Sequence, residues 1–308
     1  MRVFVTGASG WIGSAVVPDL LDAGHRVTGL ARSDASAAAL EAAAGVTVVR
    51  GDLGDLGLLR ETAAASDAVV HLAFRHDVAF RGGFAEAVES DQAAITALGE
   101  GLPDGGALTI ASGVLGLAVD GRPARENDRP APDSMAAGRQ ASAEVALALA
   151  ERGLRATVVR LAPTVHGEGD AGFVPTLVGV ARERRASGYV GDGSARWTGV
   201  HRSDAARLFR LAIEVAPAGS VLHAVADEGV PTRDIAEVIG RHLDVPTVSV
   251  APDEAGAHFG FLGGFLLLDS PASSALTREV TGWTPTGPGL LEDLEKGHYF
   301  APGAGTKY

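Results

Sequence analysis

The chain has 308 residues, a net charge of −12 and no cysteine. This length predicts one large domain or two modest ones. The lack of cysteine excludes disulfides, a thiolate nucleophile and cysteine-ligated zinc. The acidic balance argues against a general nucleic-acid binder and against docking on anionic membranes. We therefore expect a small-molecule substrate as partner.

The N-terminal apolar run is too short for a signal peptide, because Thr6, Gly7 and Ser9 interrupt it. The most apolar window elsewhere, Phe259 to Leu268, has about half of the ~20 residues that a membrane helix needs. These two observations predict a cytoplasmic protein without a membrane partner.

The first half of the chain alternates two kinds of segment. Continuously apolar, β-branched runs predict strands buried on both faces of a parallel sheet: Val3–Thr6, Arg26–Leu30, Val46–Arg50, Ala68–Leu72, Ala107–Ala111 and Ala156–Leu161. Helical patterns lie between them: Trp11–Ala23, Ser36–Ala44, Leu56–Ala65, Phe84–Leu98 and Met135–Arg152. This alternation predicts a doubly wound α/β sheet.

After Leu161 the pattern loosens into glycine-rich loops. A helix is predicted from about residue 203 to 215, followed by a buried strand at Val221–Ala226. A second helix is predicted over Pro231 to Leu243, with Thr232 as its N-cap. The last eight residues are predicted to form a frayed tail.

The strongest motif, Thr6-Gly7-Ala8-Ser9-Gly10-Trp11-Ile12-Gly13, closes the first strand and opens the first helix. Its glycines permit a tight turn, a close approach of the backbone to a pyrophosphate and close helix–strand packing. Free amides at the start of the helix favour an anion. The motif predicts dinucleotide binding, with these contacts: Thr6, Gly7, Ser9, Gly10, Trp11, Ile12 and Gly13.

The tip of the second strand indicates which dinucleotide is bound. Arg32 and Ser33 occupy it, whereas the nearest acidic residue, Asp34, comes later. An acid at this tip accepts the 2′-hydroxyl of NAD, and an arginine accommodates the 2′-phosphate of NADP. The sequence therefore predicts a preference for NADP(H) over NAD(H).

These residues resemble the short-chain dehydrogenase/reductase superfamily, in its extended or atypical branch of NAD(P)-dependent epimerase/dehydratase-like proteins. Further matches follow in order over roughly residues 1 to 300: Gly51-Asp52-Leu53, His71-Leu72-Ala73, Ser112, Arg160 to Gly167, and Val200 to Asp204. The resemblance implies further cofactor contacts: Asp52, Leu53, Leu72, Ala73, Phe74 and Pro163.

The resemblance also implies an architecture, a Rossmann-type sheet with a smaller C-terminal substrate-binding lobe. On this basis residues 1–165 and about 203–226 form the NAD(P)-binding domain. Residues about 166–202 and 227–300 form the lobe, and 301–308 the tail. Members of the family often dimerise through two helices, which here are Phe84–Leu98 and Met135–Arg152, so a homodimer is expected.

The chain departs from the family in its catalytic residues. The family's Tyr-x-x-x-Lys pair is impossible, because the tyrosines are Tyr189, Tyr299 and Tyr308 and the lysines are Lys296 and Lys307. An alignment on the family's usual glutamate places Ala136 at the tyrosine position and Gln140 at the lysine position. Asp91 takes the place of the family's asparagine, so only the serine is retained.

Four residues are candidates for the missing chemistry: Ser112, His166, Arg139 and Asp91. Ser112 is suited to hydrogen-bond a carbonyl oxygen, and His166 to donate a proton near neutral pH. Arg139 would act as an electrostatic clamp, since it does not deprotonate. Each has an alternative as an ordinary packing or surface residue, as does Tyr189. Arg75 and His76 are expected at the entrance of the site.

We expect an NADP-dependent oxidoreductase that reduces a carbonyl on a small, partly apolar molecule. An apolar pocket wall is predicted from Phe259–Leu268, Trp197, Phe173 and His258, with core packing as the alternative. Two other functions stay open: a nucleotide-sugar epimerase or dehydratase, and a non-catalytic NADP-binding sensor. The spacing of the histidines predicts no metal site.

Overall fold

A computed structural model describes residues 1–79, 81–117, 122–132, 134 and 136–301. The strands of these residues are β1 (Arg2–Thr6), β2 (Arg26–Ala31), β3 (Val46–Arg50), β4 (Ala68–His71), β5 (Ala107–Gly113), β6 (Arg155–Leu161), β7 (Thr164–His166), β8 (Ser187–Val190), β9 (Arg196–His201), β10 (Val221–Ala224), β11 (Asp227–Pro231) and β12 (Thr247–Val250).

The α-helices of the same residues are α1 (Gly13–Asp22), α2 (Asp34–Glu41), α3 (Leu56–Ala64), α4 (His76–Ala79), α5 (Phe84–Gly101), α6 (Ala137–Ala148), α7 (Phe173–Arg184), α8 (Arg202–Glu214), α9 (Thr232–Leu243), α10 (Ala255–Phe259), α11 (Leu262–Leu266), α12 (Ala275–Thr281) and α13 (Leu290–Glu295).

Seven parallel strands form the central sheet, in the order β10-β6-β5-β4-β1-β2-β3. Strand β1 lies between β4 and β2, and the chain builds outward from it in both directions. In an open parallel sheet the ligand crevice lies outside the carboxyl ends of the strands, at the point where the strand order reverses. Here that point is the gap between β1 and β4.

Helices cover both faces of the sheet, so the predicted Rossmann-type doubly wound fold is confirmed. Helices α1 and α8 bury Val16 and Phe209 in one core cluster. Helices α3 and α5 bury Leu59 and Ile95 in the other. Because both faces are covered, the strands carry apolar side chains in both directions, which explains their continuously apolar sequences.

The C-terminal half adds two small sheets and a third core. Strands β11, β9 and β7 form one sheet, and β12 pairs with β8 in the other. Val178, Ile235 and Leu290 belong to the core beside them. The domain boundaries drawn from the sequence stay a prediction.

Several element boundaries differ from those predicted. Helix α1 begins at Gly13 rather than at Trp11, because the glycine loop is still turning there. Helix α9 begins at Thr232, so Pro231 takes the N-cap position. Helix α6 begins at Ala137 and continues as a 3-10 turn. Met135 lies outside the described residues, as does the predicted tail beyond residue 301.

The buried carboxylate of Asp204 on α8 ties the later chain to the central sheet. It accepts hydrogen bonds from the amides of Thr286 and Gly287 at 2.9 and 2.7 Å, and from Arg207 at 3.0 Å. Asp204→Ala leaves these donors unpaired and is expected to cost about 2–4 kcal/mol of unfolding free energy. Urea denaturation measures this cost, with Asp253→Ala as an exposed control. Equal stability of the two variants would contradict the expectation.

Candidate functional site

A cleft of about 560 Å³ lies at the carboxyl ends of β1, β2 and β4. All of the residues predicted to bind a cofactor line it, except Thr6 and Pro163. The lining also contains residues outside that predicted set: Leu30, Ser36, Gly51, Arg75, His76 and Asp77. The sequence carried no signal for Ser36 or Asp77, because each follows a predicted strand at a distance that no motif marks.

The glycine loop forms part of the cleft wall, and two of its positions admit only glycine. Gly7 has a φ of +67°, and a Cβ there would lie 2.8 Å from the amide nitrogen of Ala73. A Cβ at Gly13 would lie 2.1 Å from the carbonyl oxygen of Gly7. The loop is therefore pressed against both the turn after β4 and the start of α1.

Thr6 and Pro163 lie outside the cleft lining. Thr6 is fully buried beneath the loop, where its Oγ1 accepts a hydrogen bond from the Ala73 amide at 3.3 Å. Pro163 lies at the bend between β6 and β7. The buried Thr6 side chain thus supports the turn after β4, which lines the cleft.

At the end of the cleft beside β2, the expected 2′-phosphate site contains Arg32, Ser33 and Ser36. Ser33 is the N-cap of α2, and its hydroxyl accepts a hydrogen bond from the Ser36 amide at 3.2 Å. The exposed guanidinium of Arg32 donates to Asp77 at 3.3 Å. Asp34 pairs with Arg50, outside the cleft lining.

A buried chain of polar side chains runs from the glycine loop to the end of β5. Thr6 Oγ1 lies 2.8 Å from Nδ1 of His71, whose Nε2 lies 3.1 Å from Oδ1 of Asp91. The other oxygen of Asp91 accepts from Arg139 Nη1 at 2.7 Å. Ionised carboxylates only accept, so His71 donates its Nε2 proton to Asp91.

The electrostatics of Asp91 favour its charged form. Burial alone would raise the pKa of this carboxyl, which is 1% exposed, but the hydrogen bond from His71 and the charges of His71 and Arg139 outweigh that effect. The net pKa is lower than its ordinary value. Asp91 is therefore a fixed anion, and it is suited to hold Arg139 rather than to exchange protons.

Arg139 brings three elements together near Ser112. Its second amino group donates to the carbonyl of Ala111, the residue before Ser112 on β5. Its guanidinium also stacks over the ring of Phe74, with 4.3 Å between the guanidinium carbon and the ring centroid. Ser112 itself is partly exposed at the carboxyl end of β5. The structure thus brings Asp91 and Arg139 to the end of β5, at the residue that precedes Ser112.

His76 lies on the cleft wall, two residues after Phe74. Its ring lies edge-on to that of Phe74, with 5.1 Å between the ring centroids. Surrounding protein atoms, followed by the charge of Arg139, hold the pKa of His76 below its ordinary value of 6.5. At neutral pH the imidazole is therefore mostly neutral and suited to accept a proton.

His166 is not part of the cleft lining. Its side chain is fully buried, with Nδ1 3.0 Å from Asp293 Oδ2 and its ring packed against His201. The catalytic role expected for His166 therefore stays a prediction. The carbonyl of the preceding residue, Val165, accepts a hydrogen bond from the indole of Trp11 on the cleft wall, at 2.8 Å.

A second buried hydrogen-bond cluster holds the loop that follows His166. The hydroxyl of Tyr299 donates to Asp170 at 3.1 Å and accepts from the amide of Gly167 at 3.0 Å. Asp170 also accepts from the amide of Gly172 at 2.7 Å. Asp293 and Tyr299 were not predicted, because they lie more than a hundred residues downstream of the loop.

The remaining candidates have structural partners. Gln140, at the family's lysine position, accepts from Arg160 at 3.1 Å. Tyr189 packs beneath the guanidinium of Arg233, 4.8 Å from its ring centroid. The positions aligned with the family's Tyr–Lys pair therefore provide no acid.

The predicted apolar wall divides into core and surface. Trp197 and Phe259 are buried in the core of the C-terminal half. Phe173 and Phe265 are partly exposed, with 5.2 Å between their ring centroids, and Phe261 is 52% exposed. The partly exposed rings provide an apolar surface at the start of α7.

The described residues contain no helix with the length and apolar character needed to cross a membrane. Within the same residues, no three His, Cys, Asp or Glu side chains are grouped in a way that would hold a metal ion.

Asp170 makes stability depend on pH. Burial raises its pKa to about 6, so between about pH 4 and 6 the folded chain keeps a proton that the unfolded chain releases. Stability from this group therefore falls as the pH rises through that window. Relative to the unsubstituted chain, Asp170→Asn is expected to gain about 1–3 kcal/mol between pH 4 and pH 8.

Urea denaturation at the two pH values measures this gain. Glu168→Gln, an exposed carboxylate in the same loop, is the matched control and is expected to show no such gain. An Asp170→Asn effect that is the same at both pH values would contradict the raised pKa.

Known proteins resemble the chain along most of its length. A protein of Schizosaccharomyces pombe described as uncharacterized is 45% identical over 302 residues, covering 97% of this chain and all of that one. A 2-alkyl-3-oxoalkanoate reductase of Stenotrophomonas maltophilia is 29% identical, over 82% of this chain and 78% of that one.

A solved structure and a family model also match most of the chain. The structure of DesIV, a dTDP-glucose 4,6-dehydratase of Streptomyces venezuelae with NAD bound, matches with a TM-score of 0.78 at 22% identity, covering 97% of each chain. The model of the NAD dependent epimerase/dehydratase family matches residues 3–224. The chain belongs to the NAD-dependent epimerase/dehydratase family.

Proposed function

We propose that the protein is an oxidoreductase that uses NADP(H) to reduce a carbonyl group on a small, partly apolar molecule. The observation that carries the proposal is the cleft, which joins a glycine loop at one wall to His76 and Phe74 at another, with Arg139 stacked on Phe74. The reductase from Stenotrophomonas maltophilia supports the reaction type. The partly exposed rings of Phe173, Phe261 and Phe265 support an apolar substrate group.

The residues of the cleft suit the parts of such a cofactor. The glycine loop and the amides at the start of α1 would hold the pyrophosphate. Arg32, Ser33 and Asp52 would hold the adenosine end, and Phe74 would face the nicotinamide end. When bound, the cofactor supplies the hydride, which adds to the carbonyl carbon of the substrate.

The residues of the chain then have to stabilise and protonate the carbonyl oxygen. In our proposal the hydroxyl of Ser112 donates a hydrogen bond to that oxygen, and the charge of Arg139, held by Asp91, favours the developing negative charge. His76 in its protonated form gives the proton that completes the alcohol, and in the reverse direction its neutral form removes it. We propose a positioning role for His166, which is buried against Asp293.

The nucleotide-sugar alternative has weaker support from the site. Epimerases and dehydratases of this kind remove a hydroxyl proton, which requires a strong base. Ala136 and Gln140 occupy the positions of the family's Tyr–Lys pair, and Gln140 is engaged by Arg160. The sensor alternative predicts cofactor binding without turnover, and the experiments below distinguish it.

The first experiment concerns cofactor choice. We expect NADPH to bind more tightly than NADH, because Arg32 is placed to pair with a 2′-phosphate. Arg32→Ala should weaken NADPH binding by about tenfold, in line with a charge-assisted hydrogen bond of ~1.5 kcal/mol, and leave NADH binding almost unchanged. Calorimetric titration with both cofactors measures this. Equal affinities that Arg32→Ala does not alter would remove the basis for an NADP preference.

The second experiment concerns catalysis. Ser112→Ala and His76→Gln are each expected to lower kcat about a hundredfold or more, with NADPH affinity nearly intact. Because the reduction needs protonated His76, its rate should rise as the pH falls through the lowered pKa, and His76→Gln should abolish this dependence. His166→Phe should instead lower thermal stability. His242→Gln, on the protein surface, is the control.

Stopped assays with medium-chain β-keto esters and 2-alkanones provide the substrates for these measurements. Native kcat in both Ser112→Ala and His76→Gln would show that the roles are assigned wrongly. Tight NADPH binding without turnover of any carbonyl compound would favour the sensor.

We further propose that the protein is a homodimer that pairs α5 and α6 of each copy. The two helices pack on each other, and Phe84 at the start of α5 is 39% exposed. Sedimentation should give about twice the chain mass of 31.3 kDa, and Phe84→Glu should shift the protein to the monomer. A monomer without any substitution would refute the proposal.

A further inference from the structure

One ion pair lies across the cleft at the place where the proposed function puts the 2′-phosphate. Arg32, at the end of β2, donates to the carboxylate of Asp77, on α4, at 3.3 Å. Both residues line the cleft, although they follow different strands that lie on either side of β1. The pair therefore links the two walls of the cleft.

This pair is only weakly held. The side chains of Arg32 and Asp77 are 62% and 48% exposed, and exposed ion pairs contribute about 0–1 kcal/mol. A 2′-phosphate carries more negative charge than a carboxylate and offers an arginine several acceptor oxygens. The phosphate is therefore the stronger partner for Arg32, and Asp77 would be left facing a like charge.

Asp77 also has a structural connection to the proposed reaction centre. It is the second residue of α4, a single turn that begins at His76. The ring of His76 packs against Phe74, on which Arg139 is stacked. Asp77 and His76 are therefore neighbours on one helical turn, so that a change at Asp77 occurs next to His76.

We propose that Asp77 competes with the 2′-phosphate of NADP(H) for Arg32, and that its displacement repositions His76. This inference rests on the proposed function, since it requires the adenosine end of the cofactor to lie at Arg32. In this arrangement Asp77 sets the affinity for the phosphorylated cofactor. It also reports the presence of the 2′-phosphate to the opposite end of the cleft.

The first test measures affinity. Asp77→Asn removes the competing charge at nearly constant size, so it should tighten NADPH binding about three- to tenfold and change NADH binding less than about twofold. Glu86→Gln is the matched control, because Glu86 is an exposed carboxylate that pairs with Arg75 of the cleft wall but does not itself line the cleft. This control should alter neither affinity by more than about twofold.

The second test measures the transfer to His76. Adenosine 2′,5′-bisphosphate carries the 2′-phosphate but no nicotinamide, whereas AMP lacks both. In NMR spectra of the histidine side chains, with His76 assigned through His76→Gln, the bisphosphate should shift the His76 signals and AMP should not. In Asp77→Asn this difference between the two probes should disappear.

The outcomes separate this inference from the proposed function. Unchanged or weaker NADPH binding in Asp77→Asn would overturn it, as would an equal gain in NADH binding or in Glu86→Gln. Identical His76 signals with both probes would overturn the connection to His76. If Arg32→Ala leaves NADPH binding intact, the proposed placement of the 2′-phosphate at Arg32 is wrong, and this inference fails with it.

Discussion

The arrangement of the site depends on a single buried anion, the carboxylate of Asp91. One of its oxygens is held by His71 and the other by Arg139, and its position on α5 brings these partners from β4 and α6 to the same place. Removing one partner of a buried ion pair is costly, because the other charge is left without compensation. Asp91 therefore stabilises the glycine loop, through His71 and Thr6, and the end of β5, through Arg139.

This arrangement provides a positive charge in the site, although the site contains no lysine. Arg139 keeps its charge at any physiological pH, and its planar group binds Asp91, the Ala111 carbonyl and the Phe74 ring at once. An arginine so engaged has no proton to give, so proton transfer has to come from another side chain. In the proposed reaction that side chain is His76, which lies on the cleft wall and whose pKa is held below its ordinary value by burial and by the charge of Arg139.

The parts of the molecule that are encoded locally were predictable from the sequence. The glycine loop follows from its own spacing, and the central sheet follows from strand and helix patterns that repeat along the first half of the chain. The contacts of His166 were not predictable, because its partner Asp293 belongs to α13 and no pattern links the two. For the same reason the role proposed for Asp77 required the structure: its ion pair joins α4 to Arg32 after β2, 45 residues earlier.

An acidic chain that binds an anionic cofactor has to concentrate its positive charge locally. The net charge of −12 repels a dinucleotide at long range, but that field is screened over about 8 Å at physiological ionic strength. In the proposed binding mode, backbone amides and the exposed Arg32 of the cleft provide the attraction instead. Asp77 would reduce the attraction of Arg32, so that only a ligand that binds Arg32 more strongly than a carboxylate does would displace it.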